Sequence, residues 1–358
     1  MNVNTKEFLT AVTNASVLVP NAEIRRLPIL GNLVVTNEGV HATSISTEYQ
    51  HTLEGLDCVL SPVLVSTTKL LGVLKEYKKQ PTVSIEYASG VLKAEGQVVN
   101  ASSSVEEYTA LRGQQGSKQV GKDSELIGFF EHVSAVKRST GDSKRRLHVV
   151  NVVVNAEELV LYATDGKQLS RRHAAGKCNL PSLSINRCDA DVIAKLKGFD
   201  GTTILRLFSE GEYVTSSYLS KIGFLEAKAG NRLVRVAVWE STDLPFDKIV
   251  KRVINESNTE FRVERDELIW VLKLESGEVV KLNVSEDGIL YCAGKKISYA
   301  SYKYPSAEVG VSKKSLAEAA KSLAKGLLYL LLNNQSEVVL CDSHADNKSI
   351  EVIVTVKV

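Results

Sequence analysis

Three stretches of this chain repeat one pattern at domain-length spacing, and this repetition constrains the fold more than any single residue does. Residues 27–35 read Leu-Pro-Ile-Leu-Gly-Asn-Leu-Val-Val, residues 147–154 Leu-His-Val-Val-Asn-Val-Val-Val, and residues 279–284 Val-Val-Lys-Leu-Asn-Val. Each holds an asparagine (Asn32, Asn151, Asn283) followed by aliphatic residues, then a turn and a second apolar run ending in a small-residue step at Ala42, Ala163 or Ala293. The step from asparagine to alanine is equal in the first and third copies and slightly longer in the second, while the copies themselves recur only after the length of a whole domain. A period that long is a repeated domain rather than a solenoid unit. Three copies of one domain suit a ring, an arc or a tandem binder better than a single catalytic cleft.

The 358 residues are enough for two or three domains, each with its own core. Apolar content of 44% and charged content of 24% are those of a globular protein, and no run nears the ~20 apolar residues of a membrane span. The opening residues Met1 to Glu7 lack the apolar core of a signal peptide, so export is not expected. Five scattered cysteines, none in a CxxC pair, fit reduced thiols in a cytoplasmic protein.

Reactive constellations are missing from the sequence. It has no HExxH, GxSxG, phosphate-loop or dinucleotide-loop motif, and its six histidines show no metal spacing. Gly113 to Lys118 has the flavour of a phosphate loop with the wrong spacing, and reads as a linker. Asp165-Gly166 after a strand reads as a turn. No enzyme, cofactor or metal is expected.

Each copy is expected to hold two amphipathic helices against antiparallel strands, an α+β architecture. First helices are expected over 4–16 (capped by Asn4), 124–138 (capped by Ser124) and 264–275; second helices over 66–78 (capped by Ser66), 188–198 and 312–325 (capped by Ser312). Runs such as Thr82–Tyr87, Leu327–Leu332 and Ser349–Val356 read as strands. Boundaries fall near residues 118 and 256, giving domains 1–118, 119–256 and 257–358.

The formal charge is only +2, so any case for nucleic acid rests on where the charges sit. The helices gather cations: Lys69, Lys75 and Lys78 in the first copy; Lys137, Arg138, Arg187, Lys195 and Lys197 in the second; Arg265, Lys314, Lys321 and Lys325 in the third. A basic face recurring in every copy suits sequence-independent attraction to a phosphate backbone. The plain alternative for any one helix is a solvated outer face.

With these residues in view, the chain resembles the bacterial replicative sliding clamp family, the beta subunit of DNA polymerase III. The resemblance rests on Leu27–Leu33, on Ala163-Thr-Asp-Gly-Lys-Gln-Leu169, and on Phe261–Leu268. It implies a DNA-clamp fold of three similar domains, each with two helices packed on antiparallel sheets. It also implies a head-to-tail homodimeric ring around double-stranded DNA. Such a ring tethers DNA polymerase and other replication proteins, is opened by a clamp loader, and does no catalysis.

By matched position the resemblance implies a partner-peptide pocket of Leu147, Thr164, Gly166, Lys167, Gln168, Leu169, Pro245, Val250, Val352, Val354 and Val356. The Lys167-Gln168 pair replaces the family's His-Arg, and Thr355–Val358 replaces its methionine-rich end. A dimer interface is expected from the strand Gln97 to Val105 (Gln97, Val99, Val105) and the third-copy helix flank at Trp270 and Leu274. For Trp270, core packing is an equal reading. The competing reading of the whole chain is a repeated-domain interaction scaffold, or an enzyme of unrecognised type, without a central hole.

Overall fold

The computed structural model of the chain describes residues 1–18, 21–109, 118–141, 147–155, 158–215, 220–242, 244–299, 307–333, 337–342 and 349–354. One string of elements runs through it three times: strand, helix, four strands, helix, three strands.

The first copy is β1 (Asn2–Asn4), α1 (Thr5–Val17), an inserted α2 (Asn21–Arg26), β2 (Asn32–Thr36), β3 (Gly39–Thr43), β4 (Thr47–Thr52), β5 (Val63–Ser66), α3 (Thr67–Glu76), β6 (Thr82–Ala88), β7 (Val91–Ala94) and β8 (Gln97–Val98). A short α4 (Val105–Thr109) follows. The second copy is β9 (Lys118–Ile127), α5 (Phe129–Val136), β10 (Val149–Asn155), β11 (Glu158–Thr164), β12 (Gln168–Lys177), β13 (Leu183–Asn186), α6 (Arg187–Ile193), β14 (Thr202–Thr215), β15 (Ser220–Ala229) and β16 (Arg232–Glu240). Then comes α7 (Phe246–Asn255). The third copy is β17 (Ser257–Glu264), α8 (Arg265–Leu274), β18 (Val279–Val284), β19 (Ile289–Cys292), β20 (Lys295–Tyr299), β21 (Ala307–Ser312), α9 (Lys313–Ser322), β22 (Leu327–Asn333), β23 (Glu337–Cys341) and β24 (Ser349–Val354). In every copy the opening strand pairs antiparallel with the first strand beyond the second helix: β1 with β6, β9 with β14, β17 with β22.

The helices start where short polar side chains satisfy otherwise orphaned amides. Asn4 accepts from Glu7 N at 3.0 Å, Ser66 from Lys69 N at 3.4 Å, and Ser312 from Ser315 N at 3.3 Å. Their buried faces follow offsets of three and four, as in Phe8, Ala11, Val12 and Ala15 of α1.

One helix start differs from the sequence expectation. Ser124 caps nothing: it lies in β9, buried, and its Oγ accepts from Asn179 N at 2.8 Å. The break between strand and helix is Gly128, whose φ of +70° suits glycine and turns the chain out of β9 into α5. The helix ends that fall furthest short of expectation are those of α6 and α9, at Ile193 and Ser322.

The repeated asparagine marks a strand, not a shared side-chain role. Asn32 donates to Ile29 O at 3.0 Å, Asn151 accepts from Thr242 Oγ1 at 2.6 Å, and Asn283 faces solvent. Asn151 pairs across its hairpin with Tyr162, whereas Asn283 pairs with Tyr291, a shorter step along the chain, so the third hairpin has its own register.

The chain divides into two compact bodies, Met1–Ser134 with Ala175–Glu240, and Ala135–Ala174 with Ser241–Val358. In the first, the strands run β5-β2-β3-β4-β16-β15-β14-β9, α1 packs on α3, and a smaller sheet runs β1-β6-β7-β8. A buried polar knot ties its middle: Asn14 Nδ2 donates to Tyr49 Oη and to Lys197 O, both at 3.0 Å, and Tyr49 Oη meets His51 Nδ1 at 2.9 Å. Burial pushes the Tyr49 hydroxyl up to about 12. In the second body the strands run β17-β22-β23-β24-β12-β11-β10, beside a sheet β20-β19-β18-β21. Its main core gathers Phe261, Leu268, Leu282, Leu316 and Leu330 beneath α8 and α9.

Candidate functional site

The cations singled out from the sequence divide into exposed side chains and side chains held by internal partners or partly buried. Lys69, Lys75 and Lys78 are exposed on and just past α3, Arg187, Lys195 and Lys197 on and past α6, and Lys314, Lys321 and Lys325 on and past α9. Lys78, Lys195, Lys197 and Lys325 lie beyond the helix ends, which corrects their expected place on the helices to the turns that follow them. Lys137 is half-buried on a 3-10 turn, Lys137–Ser139, that follows α5.

Arg138 and Arg265 are not free surface cations. Arg138 Nη2 donates to Glu351 Oε1 at 2.5 Å, and burial pulls its guanidinium below its usual value against the pull of Glu351. Glu351 is buried, and it also accepts from Arg172 at 2.6 Å and Ser170 at 2.6 Å. Arg265 donates to the carbonyls of Ala320 and Lys321, satisfying the C-terminal end of α9. Sequence spacing carried no sign of either commitment, because the partners are distant in the chain.

The proposed pocket residues meet in the second body, around one satellite core. Leu169, Val250 and Val352 sit in it with Tyr162, Phe246 and Val339. Phe246 heads α7 and stacks on Tyr162, with ring centroids 4.9 Å apart and planes 8° apart. Tyr162 donates to Asp247 in the first turn of α7 and accepts from Arg171 Nε at 3.2 Å; burial, then Asp247, pushes its hydroxyl above the ordinary range.

Leu169, Val250 and Val352 are themselves buried, so little of any of them reaches the surface. What reaches solvent is Pro245, Leu244 (39% exposed) and Val354 (44%), with Leu147 and Thr164 half-buried. Leu244 is a surface residue that the matched positions did not include, although it adjoins Pro245. Val356 lies outside the described residues.

Beside this surface is a tightly specified turn. Thr164 Oγ1 accepts from Gly166 N at 3.0 Å, and Asp165 Oδ1 accepts from the amides of Lys167 and Gln168, both at 2.8 Å. Gly166, at φ +86°, supplies the left-handed step, and Val354 N donates to Lys167 O at 2.8 Å, joining the turn to β24. The arrangement offers an apolar strip with a fixed backbone edge, suited to binding an extended segment rather than to bond chemistry. Among the described residues no group of three or more His, Cys, Asp or Glu is placed to hold a metal.

The expected interface residues separate. Trp270 and Leu274 are each 54% exposed on α8, so Trp270 is not a core residue; Lys295 Nζ lies 4.4 Å from its ring centre. Gln97 is exposed at the edge of the smaller sheet. The strand expected to reach Val105 stops at Val98: Val99 is fully buried, and Val105 opens α4 and packs on Val34, Leu64 and Tyr108. The exposed apolar residue there is Val98.

No protein-family model matches the chain, and no curated protein matches it by sequence. Solved structures do match over its whole length. The sliding clamp of Bartonella birtlesii bound to griselimycin superposes with a TM-score of 0.74 at 15% identity, covering 100% of this chain and 99% of that one. The Bacillus subtilis clamp gives 0.74 at 16%, covering 100% and 98%. The DNA polymerase III beta subunit of Thermotoga maritima gives 0.75 at 14%, covering 100% and 99%. The chain therefore has the fold of the bacterial DNA polymerase III beta sliding clamp from end to end.

Proposed function

We propose that the chain is a sliding clamp. In this reading it comprises three clamp domains, 1–118, 119–256 and 257–358, and two copies close head to tail around duplex DNA. The closed ring tethers a polymerase and other replication proteins through short peptides, is opened by a clamp loader, and performs no catalysis. The observation that carries the reading is the threefold β-α-ββββ-α-βββ string with exposed lysines at the second helix of the first and third copies, in a chain with the clamp fold.

Physically, a ring needs no sequence readout. Lysines spread around a hole attract phosphates without fixing register, so the protein stays on the duplex yet slides. Edge residues Gln97 and Val98 and the α8 pair Trp270 and Leu274 are the surfaces that would meet between copies. A head-to-tail contact of this kind closes after two subunits. Leu244, Pro245, Val354 and the 164–168 turn form the partner-peptide surface.

The test is topological. The protein is assembled from dilute solution in the presence of nicked circular plasmid, and the complex is isolated by gel filtration. Retention that is lost when the plasmid is linearised supports encirclement. Retention indifferent to linearisation contradicts it.

A further inference from the structure

The partner surface of the second body carries a charge pattern that its apolar strip does not explain. Lys167 is exposed at the tip of the 164–168 turn, and Lys248 and Lys251 are exposed on the outward side of α7, opposite Phe246, Val250 and Val253. None of these three lysines makes an ion pair among the described residues. Among the described residues, the neighbouring carboxylates hold internal partners. Asp165 accepts from the turn amides, and Asp247 accepts from Tyr162 and from Asn155 Nδ2 at 3.3 Å. Glu337 and Glu256 pair with Arg252, at 3.0 and 3.9 Å.

Exposed lysines thus lie on both elements that carry the strip of Leu244, Pro245 and Val354: Lys167 on the turn beside Val354, and Lys248 and Lys251 on the helix that Pro245 opens. The turn holding Lys167 is bonded to β24 through Val354 N. Lys248 is three residues along α7 from Pro245, about 5 Å of helix rise, within the reach of a lysine stem.

We propose that the segment bound here is an acidic peptide. Its aliphatic side chains cover Leu244, Pro245 and Val354, and its Asp or Glu residues meet Lys167, Lys248 and Lys251. The inference rests on reading this surface as the partner-peptide site. Apolar burial supplies the affinity, and the lysines select acidic flanks and speed encounter. Three exposed contacts are worth a modest, salt-sensitive gain, on the order of tenfold in affinity at low ionic strength.

The full-length protein is titrated against three fluorescein-labelled peptides by anisotropy. One has a core of three leucines with four flanking Asp and Glu residues, one has the same core with serine flanks, and one has acidic flanks around a core of serines. The expected result is that the first binds about tenfold tighter than the second in 50 mM salt and the third binds weakly. The advantage should shrink in 500 mM salt and vanish in Lys248→Glu/Lys251→Glu, whose affinity for the serine-flanked peptide stays unchanged. Equal binding of the first two peptides overturns the inference and leaves the peptide site standing. Equal binding of the first and third overturns it as a nonspecific polyanion effect. Failure of the first two to bind at all overturns the site reading with it. If the double variant loses retention on circular DNA instead of acidic-peptide affinity, the lysines serve phosphate and the inference falls.

Discussion

Ile45 and Gly166 occupy the same left-handed position in two turns of the same construction. Their φ values are +76° and +86°. Thr43 Oγ1 accepts from Ile45 N at 3.1 Å, as Thr164 Oγ1 accepts from Gly166 N at 3.0 Å. Ser44 N reaches Thr47 O as Asp165 N reaches Gln168 O, at 2.8 and 3.3 Å. A β-branched side chain resists this backbone region. The first turn is pinned in place, with Asp189 accepting from Ser46 Oγ and Thr47 Oγ1 at 2.7 Å each and Ala237 N donating to Ser46 O at 2.8 Å.

Replacing Ile45, which is 48% exposed, by glycine should therefore stabilise the protein. Relief of about 1–2 kcal/mol of backbone strain outweighs the greater entropy of the unfolded glycine chain, leaving about 0.5–1 kcal/mol. Chemical denaturation checks the sign. The converse change, Gly166→Ala, meets Leu147 Cδ1 at an ordinary 3.7 Å, so its cost of about 1 kcal/mol is conformational.

His51 sets a pH dependence. Burial, with Arg232, lowers its imidazole to about 4, against the opposing pull of Glu7 at 3.6 Å. Because the folded value lies below the ordinary 6.5, the unfolded chain takes up the proton first as pH falls. This stability is full above pH 6.5 and is lost between there and about 4, a loss on the order of 2–3 kcal/mol. Denaturant midpoints measured from pH 7.5 to 4 should fall, and the slope should be shallower in His51→Gln.

Glu351→Ala should be severely destabilising. It strands Arg172, which is buried, and Arg138, which is mostly so, with no carboxylate between them. Breaking a buried pair in this way costs about 3–5 kcal/mol. A thermal midpoint within a degree or two of the parent would refute that role.

The proposed peptide site is best probed at the exposed strip. Leu169→Ala opens a cavity in the satellite core at a cost of about 2–4 kcal/mol, so any loss of binding would be confounded by loss of stability. Val354→Ser removes an exposed methyl pair and keeps the backbone bond to Lys167. It should weaken a bound peptide roughly three- to tenfold with the thermal midpoint unchanged, as read by anisotropy titration.

Much of this fold was legible because its signals are local. Asn4, Ser66 and Ser312 precede apolar stripes at helical spacing, and each caps the helix it announces. Ser124 misled because Leu126 falls on the same period as Phe129, Phe130 and Val133, while a single left-handed glycine at 128 decides where strand gives way to helix. The fates of Arg138 and Arg265 were not legible: Glu351 lies 213 residues from Arg138, and Ala320 lies 55 from Arg265. The pocket residues came from resemblance. The burial of Leu169, Val250 and Val352, which leaves Leu244, Pro245 and Val354 at the surface, depends on packing between α7, β12 and β24 that periodicity does not encode.

Closure of the proposed ring is read from solution mass by light scattering together with small-angle scattering on the same sample. A closed ring gives a dimer of twice the 39.1 kDa chain with the scattering profile of a hollow disc. A compact 39.1 kDa monomer at every concentration, with and without circular DNA, would contradict it.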